Sequence, residues 1–272
     1  MADPSIEARM YLRERLFRAA TAALCMMLLA GCAQTPTRPA EPYDPIEPAN
    51  RQVFAFNDTL DTYILRPVAN GYAYVTPAFF RRGVDNFFTN LGYPGVVLNN
   101  FLQGKVQRGF QDLIRFGVNS TIGFAGVLDP ASTMGLPNHK EDFGQTLGVW
   151  GVEPGAYLVI PALGSSDARD VTSYPASYYT NVTAYVGDPV TTTALYVVNY
   201  INKRALLEKA SKIRSQASID PYAFTRSAYL QYRRNLVYDG NPPLQYDEQD
   251  FFKQMEQDGT APPGGDGSGG GS

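Results

Sequence analysis

The chain has 272 residues and a formal charge of −3 from 23 Lys and Arg against 26 Asp and Glu, so it is long enough for one or two domains with a sizeable core. A hydrophobic fraction of 44% with 18% charged residues excludes wholesale disorder, and the acidic balance excludes a nucleic-acid backbone as partner. The single histidine, His139, excludes metal centres and catalytic arrangements that need several imidazoles.

The N-terminus reads as an export signal over residues 1–31. Arg9, Arg13, Arg15 and Arg18 form a basic region, and residues 19–29 are small or apolar, a run too short to span a bilayer. It ends in Leu29, Ala30, Gly31 and Cys32, the small-residue site that a lipoprotein signal peptidase accepts before an acylated cysteine. Met10 fits better than Met1 as the start, because Asp3 and Glu7 sit badly in a basic region. With Cys32 acylated, two or three acyl chains anchor the chain stably where one would not. Ala33, in the place where Asp favours inner-membrane retention, points to the outer membrane. Residues 32–43 are Pro- and Thr-rich and read as a flexible tether.

Residues 44–237 read as a helical domain. Val53, Phe56, Leu60 and Ile64 recur at three-to-four spacing, as do Phe80, Val84, Phe87, Phe88 and Leu91. The spacing continues through Leu98, Phe101, Leu102, Val106, Phe110, Leu113 and Ile114, and again from Ala194 to Ala210. Four Asp-Pro pairs, at 44–45, 129–130, 188–189 and 220–221, stand where helices can start, with Asp as cap and Pro at the first helical position. No run of period-two strands is visible. Glycines at 144, 148 and 151 fall in an apolar stretch, where they would let backbones pack closely. From 238 to 272 the chain is acidic and Gly-rich and reads as a disordered tail. No apolar stretch after residue 32 is long enough to cross a membrane, so bilayer contact must come from the anchor and from helices lying in the interface.

No phosphate-binding loop, dinucleotide fingerprint, zinc-protease helix or nucleophile elbow occurs, so no catalytic residue and no metal ligand is assigned. Ser165 and Ser166 in Gly164-Ser-Ser-Asp-Ala-Arg-Asp170 are the nearest thing to a hydrolase site, with His139 the sole base. The abundance of Phe and Tyr fits either an aromatic core or a rim facing acyl chains.

The run Asp44-Pro-Ile-Glu-Pro-Ala-Asn-Arg51, then Phe54-Ala-Phe-Asn57 and Asp61, resembles the MlaA (VacJ) family of outer-membrane lipoproteins. The likeness continues through Val84-Asp-Asn-Phe-Phe-Thr-Asn-Leu91, Pro94, Asn99, Leu102-Gln-Gly104, Arg115 and Asn119-Ser-Thr-Ile-Gly123. Phe143-Gly-Gln-Thr-Leu-Gly148, Gly164-Ser165, Arg169-Asp170, Asp220-Pro-Tyr222 and Tyr229 extend it to about 190 residues in order. The resemblance implies a mainly α fold: a compact helical ring in one membrane leaflet with an amphipathic central channel and no transmembrane helix. It implies removal of mislocalised glycerophospholipid from the outer leaflet and its transfer to the periplasmic lipid carrier MlaC, without covalent chemistry or cofactor. Trimeric outer-membrane porins are the implied partners, and the periplasmic leaflet of a Gram-negative outer membrane the implied location. Asn50, Arg51, Phe54, Phe56 and Asn57 match the family motif near the membrane end. The family's flexible channel hairpin falls at 128–143, with Asp129, Pro130, His139 and Phe143. Phe87, Phe88 and Phe101 are the expected lipid-facing residues. The competing expectation is a structural or adhesive surface lipoprotein.

Overall fold

A computed structural model describes residues 43–217 and 219–243. The signal segment, Cys32, the tether and the Gly-rich tail lie outside the described residues. Helices dominate. Helix α1 (Glu47–Leu60) runs through a wide turn of π-helix (Asp61–Leu65) into α2 (Arg66–Val75). Pro67 explains the widening: it has no N–H to donate and its ring crowds the preceding turn, so the amide of Arg66 reaches back to the carbonyl of Asp61.

Helix α3 (Ala78–Leu102) is the longest element and carries Pro94 in its interior. The apolar periodicity of 98–114 is not one helix. Gly104, with φ 75°, breaks it, and the chain doubles back into α4 (Val106–Thr121). A single turn, α5 (Pro130–Thr133), and a short α6 (Phe143–Val149) follow. Then come a β-hairpin, β1 (Tyr157–Ile160) and β2 (Gly164–Asp167), α7 (Ser173–Thr180), α8 (Pro189–Leu206), α9 (Glu208–Ala217) and α10 (Pro221–Val237). The strands are antiparallel, with Tyr157 opposite Asp167 and Ile160 opposite Gly164. They were not expected from the residue pattern, because four residues are too few for alternation to stand out.

Three of the Asp-Pro pairs open helices. Asp129 accepts from the amide of Ser132, Asp188 from Val190 and Thr191, and Asp220 from Tyr222 and Ala223. Asp44 does not: α1 starts three residues later, and the Asp44 side chain turns inward instead.

The apolar core is small. Tyr157, Val159 and Tyr222 are buried together, with Val53, Phe54, Tyr229 and Leu230 packed against them. Most of the remaining interior is polar. Asp44, Asn50, Asn90, Asn99, Asn100, Asp112, Arg115, Asn119, Gln145, Thr146, Asp167, Asp170, Asn202 and Arg226 are all buried. Among the described residues, no helix is long and apolar enough to cross a membrane.

Candidate functional site

Helix α4 shows the principle of the molecule. Its buried side chains are Asp112, Arg115 and Asn119, spaced three and four apart on one face beside Gly109. Its exposed side chains include Val106, Phe110, Leu113 and Ile114 on the opposite face. The helix is amphipathic, but its polar face points inward. The rest of the surface repeats this. Tyr74 is 92% exposed and Phe79 71%, and Tyr63, Ile64, Val75, Ile122, Phe124, Val190, Val197 and Tyr179 are also exposed. Exposed apolar side chains on several elements make this surface a candidate for contact with an apolar partner. The polar side chains inside are costly to bury unless they are met by partners within the chain.

Three networks supply those partners. The first is a clasp at the start of the domain. Asn50 Nδ2 donates to Asp44 Oδ1 (2.8 Å) and to the Tyr157 carbonyl (2.9 Å), while its Oδ1 accepts from the Val159 amide (2.9 Å). The second oxygen of Asp44 accepts from the Tyr222 hydroxyl and from Arg226 (2.8 Å). Arg51 bonds Glu47 and Asp220, and its guanidinium lies 4.4 Å from the centre of the Tyr222 ring. Asn57 repeats the pattern two turns on, donating to the Ile160 carbonyl (3.0 Å) and accepting from the Ala162 amide (2.8 Å). Asn50, Arg51 and Asn57, expected as a motif near the membrane end, thus spend their polar groups on bolting α1 to the hairpin and to α10. Within the same motif, Phe54 packs edge-on to Tyr222, whereas Phe56 is exposed.

The second network is ionic. Arg233 donates to both oxygens of Asp142 (2.6 and 2.9 Å) and its Nε contacts Asp170. Tyr229 donates to Asp170 (2.8 Å), and Arg169 Nε donates to the other oxygen of that carboxylate (3.0 Å). Burial alone would raise the Asp142 carboxyl, but the hydrogen bonds and charge of Arg233 outweigh it and hold it at about 2. Asp167 goes the other way. Burial raises it to about 6, and the nearby carboxylate of Asp170 offsets the help it gets from Arg169.

The third network holds the segment 128–143. Arg115, 2% exposed, donates to Asp129 (2.6 Å), to the Ser132 hydroxyl (3.0 Å) and to the Leu136 carbonyl (2.7 Å). Asn119 bonds Asp129 and the amide of Ala131. Tyr93 donates to Asn138 (2.9 Å), and His139 Nδ1 lies 3.0 Å from Asp112 Oδ2. Gln103 and Lys105 both reach Glu141. The segment expected as a flexible hairpin holds one helical turn capped by Asp129 at Pro130, followed by chain without regular secondary structure. The polar faces of α3 and α4 pin it along its length. Phe143, at its end, stands edge-on to Trp150.

The expected lipid-facing aromatics separate. Phe88 is 6% exposed and Phe87 half-buried, their rings 5.2 Å apart, because this turn of α3 faces inward. Phe88 is thus inside rather than on an outward face, and Phe87 is partly covered. Phe101 is exposed and pairs edge-on with exposed Phe110. The glycines separate too. A Cβ at Gly144 would stand 2.3 Å from Asp170 Oδ1 and 2.8 Å from Ser173 Oγ, and one at Gly148 2.8 Å from Arg169. Gly151 meets nothing within 4 Å and has φ 91°, so it makes a turn rather than a close contact. Gly144→Ala is expected to lose about 1–3 kcal/mol through overpacking, and Gly151→Ala about 1 kcal/mol from backbone strain. Thermal unfolding in detergent measures both, and an unchanged melting temperature for Gly144→Ala would show that the contact there relaxes freely.

The serines make no catalytic arrangement with His139. Ser165 shares a hydrogen bond with the Tyr157 hydroxyl (2.8 Å), Ser166 is buried in β2, and the imidazole faces Asp112. Among the described residues no cluster of His, Cys, Asp or Glu is arranged to hold a metal ion.

Known proteins align with this architecture. The family model for MlaA lipoprotein matches residues 42–236. A protein of Escherichia coli (strain K12) named intermembrane phospholipid transport system lipoprotein MlaA is 35% identical over 230 residues, covering 82% of this chain and 89% of its own. The protein of that name in Haemophilus influenzae is 31% identical over 228 residues, covering 81% and 90%. An uncharacterized protein of Rickettsia felis is 39% identical over 198 residues, covering 72% of this chain and 79% of its own. A solved structure described as "Structural basis for maintenance of bacterial outer membrane lipid asymmetry" superposes with a TM-score of 0.64 at 34% identity, covering 71% of this chain and 98% of that one.

Proposed function

The chain belongs to the MlaA lipoprotein family, and from that premise we propose that it is an outer-membrane lipoprotein of phospholipid transport that maintains lipid asymmetry. It removes stray glycerophospholipid from the outer leaflet and hands it to a soluble periplasmic carrier of the MlaC kind. The observation that carries this reading is the inversion of the molecule, with apolar faces outward and ion pairs and amides inward. A protein so built rests in hydrocarbon without a spanning helix. The barrier to moving a phospholipid between environments is its headgroup, which is costly to bring into an apolar medium unmet. A path walled by polar side chains on one side and apolar ones on the other lowers that barrier, so an amphipathic channel through a helical ring is the arrangement we infer.

In this reading Cys32 carries the acyl anchor and holds the ring at the periplasmic leaflet, with trimeric porins as lateral partners. Exposed Phe101 and Phe110, rather than buried Phe88, belong to the lipid-facing surface. No covalent step is needed and no cofactor is invoked.

The test is the amount of phospholipid exposed in the outer leaflet of cells lacking the protein, with wild type, Cys32→Ala and Ser165→Ala each reintroduced. Exposure is expected to rise on deletion, and to be restored by wild type and Ser165→Ala but not by Cys32→Ala. Unchanged exposure on deletion would leave a structural or adhesive lipoprotein as the better account.

A further inference from the structure

The turn after α4 is built with unusual care for a loop. Phe124 and Ala125 have φ of 52° and 58°, and Gly126 follows at 91°, so three consecutive residues are left-handed, two of them carrying a Cβ. Each such non-glycine residue is disfavoured by about 1–2 kcal/mol, so the surroundings must fix the turn. They do. A Cβ at Gly123 would stand 2.4 Å from the Asn119 carbonyl, and one at Gly126 2.3 Å from Asn90 Cβ, so both glycines are wedged against neighbours. From α3, Asn90 donates to Ser120 (2.9 Å) and Asn86 to the Val127 carbonyl (3.3 Å).

What this rigid turn displays is apolar. Phe124 is 74% exposed, and Ile122, Val127 and Leu128 are exposed beside it. No residue from 121 to 128 carries a charge, and the Thr121 hydroxyl is spent on the Gly117 carbonyl (2.7 Å). Six of the seven amides from 122 to 128, all but that of Phe124, are met within the chain. The amides of Ile122 and Gly123 donate to Val118, Ala125 to Ser120, Gly126 to Asn119, Val127 to Phe124 and Leu128 to Gly123. A loop tip in water has no need of this, because water satisfies its amides. In hydrocarbon, irregular backbone persists only where its polar groups are met within the protein.

We propose that the turn 122–128 is a rigid wedge that inserts into the acyl-chain layer of the bilayer, with Phe124 at its point. This rests on the membrane-embedded reading above and adds which element enters the hydrocarbon. The occupant follows from charge and continuity. An uncharged tip with six of its seven amides met within the chain matches hydrocarbon, and it follows α4, which also exposes Phe110, Leu113 and Ile114. Asn119 joins the wedge to the segment behind it, since its carbonyl holds Gly126 and its side chain holds Asp129 and Ala131. The wedge is thus tied directly to the segment 128–143.

The chain has one tryptophan, Trp150, so a reporter is simple to place. In a full-length Trp150→Phe background, Phe124→Trp puts the only indole at the tip, and Val190→Trp puts it on another exposed apolar face. Each is reconstituted in phosphatidylethanolamine–phosphatidylglycerol vesicles brominated either near the headgroup or near the chain end. The reporter at 124 is expected to lose most fluorescence to chain-end bromine and little to aqueous acrylamide. If the reporter at 190 is quenched by bromine while that at 124 is quenched only by acrylamide, the wedge is overturned and the embedded domain stands. If neither is quenched by bromine, the embedding itself fails and the wedge with it. Shielding of position 124 from both quenchers would mean a second copy covers it, which also overturns the proposal. Phe124→Cys carrying a bimane label repeats the measurement should the indole disturb the turn.

Discussion

Arg233→Met is expected to lose about 3–5 kcal/mol of stability, which amounts to unfolding for a domain whose total is on the order of 5–15 kcal/mol. Arg233 bridges Asp142 and Asp170, and its side chain is only 11% exposed. Removing it leaves two carboxylates in an interior with too few donors. The substitution reaches further than its own helix, because Asp142 caps α6 through the Gln145 amide and the Arg233 contact joins α10 to that cap across 91 residues. Arg82→Met, the same change at an exposed position of α3, is expected to stay within about 0.5 kcal/mol. Thermal unfolding in detergent separates the two, and similar melting temperatures would show that the ionic cluster is dispensable.

The same cluster sets an opposed pH dependence. Asp142 is held at about 2, below its ordinary 3.8, so its contribution is fully present above pH 3.8 and disappears as pH falls through 2. At ~1.4 kcal/mol per pH unit that contribution is on the order of 2 kcal/mol. Asp167 is raised by burial to about 6, so the folded state favours its protonated form. Its contribution is fully present below pH 3.8 and is lost as pH rises through 6. Melting temperature is therefore expected to fall toward pH 2 on the acid side and to decline again between pH 4 and 6. Asp167→Asn, which keeps the acceptor used by the Asp170 amide, should weaken only the second decline, to which Asp112, also raised by burial, contributes.

Charging the outward face of α4 is expected to detach the protein from lipid while leaving its fold. Phe110 and Ile114 are four residues apart on that face and both are exposed. An aspartate at each, placed in hydrocarbon, is opposed by roughly 2.5–3.5 kcal/mol. In water the same exposed substitutions change stability by about 0.5 kcal/mol or less. The double variant should therefore lose several powers of ten in partition to phosphatidylethanolamine–phosphatidylglycerol vesicles, at about 1.4 kcal/mol per tenfold, with helical circular dichroism preserved. Flotation with vesicles reads the first and circular dichroism the second. Undiminished flotation would mean that this face does not meet lipid. The same charge introduced at Phe88 is expected to unfold the chain instead, because that ring is inside.

Much of the fold is legible in the amino-acid sequence. Three of the four Asp-Pro pairs cap helices as their chemistry dictates, since an N-cap is a local event decided within four residues. Helical character follows from apolar spacing, and the family from ordered short motifs. Gly144 and Gly148 are legible as close contacts in an apolar, glycine-dense stretch, whereas Gly151 carries the same letter for a different reason, its positive φ. The β-hairpin escapes because it is too short to show a period. Asp44 escapes because its partners, Asn50, Tyr222 and Arg226, come from both ends of the domain.

The decisive feature, which face of each helix turns inward, belongs to the tertiary structure. On α4, Phe110 and Ile114 are as regularly spaced as Asp112, Arg115 and Asn119, so periodicity declares two faces and is silent about which is buried. A mean hydropathy of −0.23 does not distinguish a polar shell from a polar interior either. The choice is made by long-range complementarity: Arg115 finds Asp129, Arg233 finds Asp142, and Asn202 receives the Tyr72 hydroxyl. A polar side chain is stable inside only where such partners converge. Once they do, the apolar faces are left on the outside.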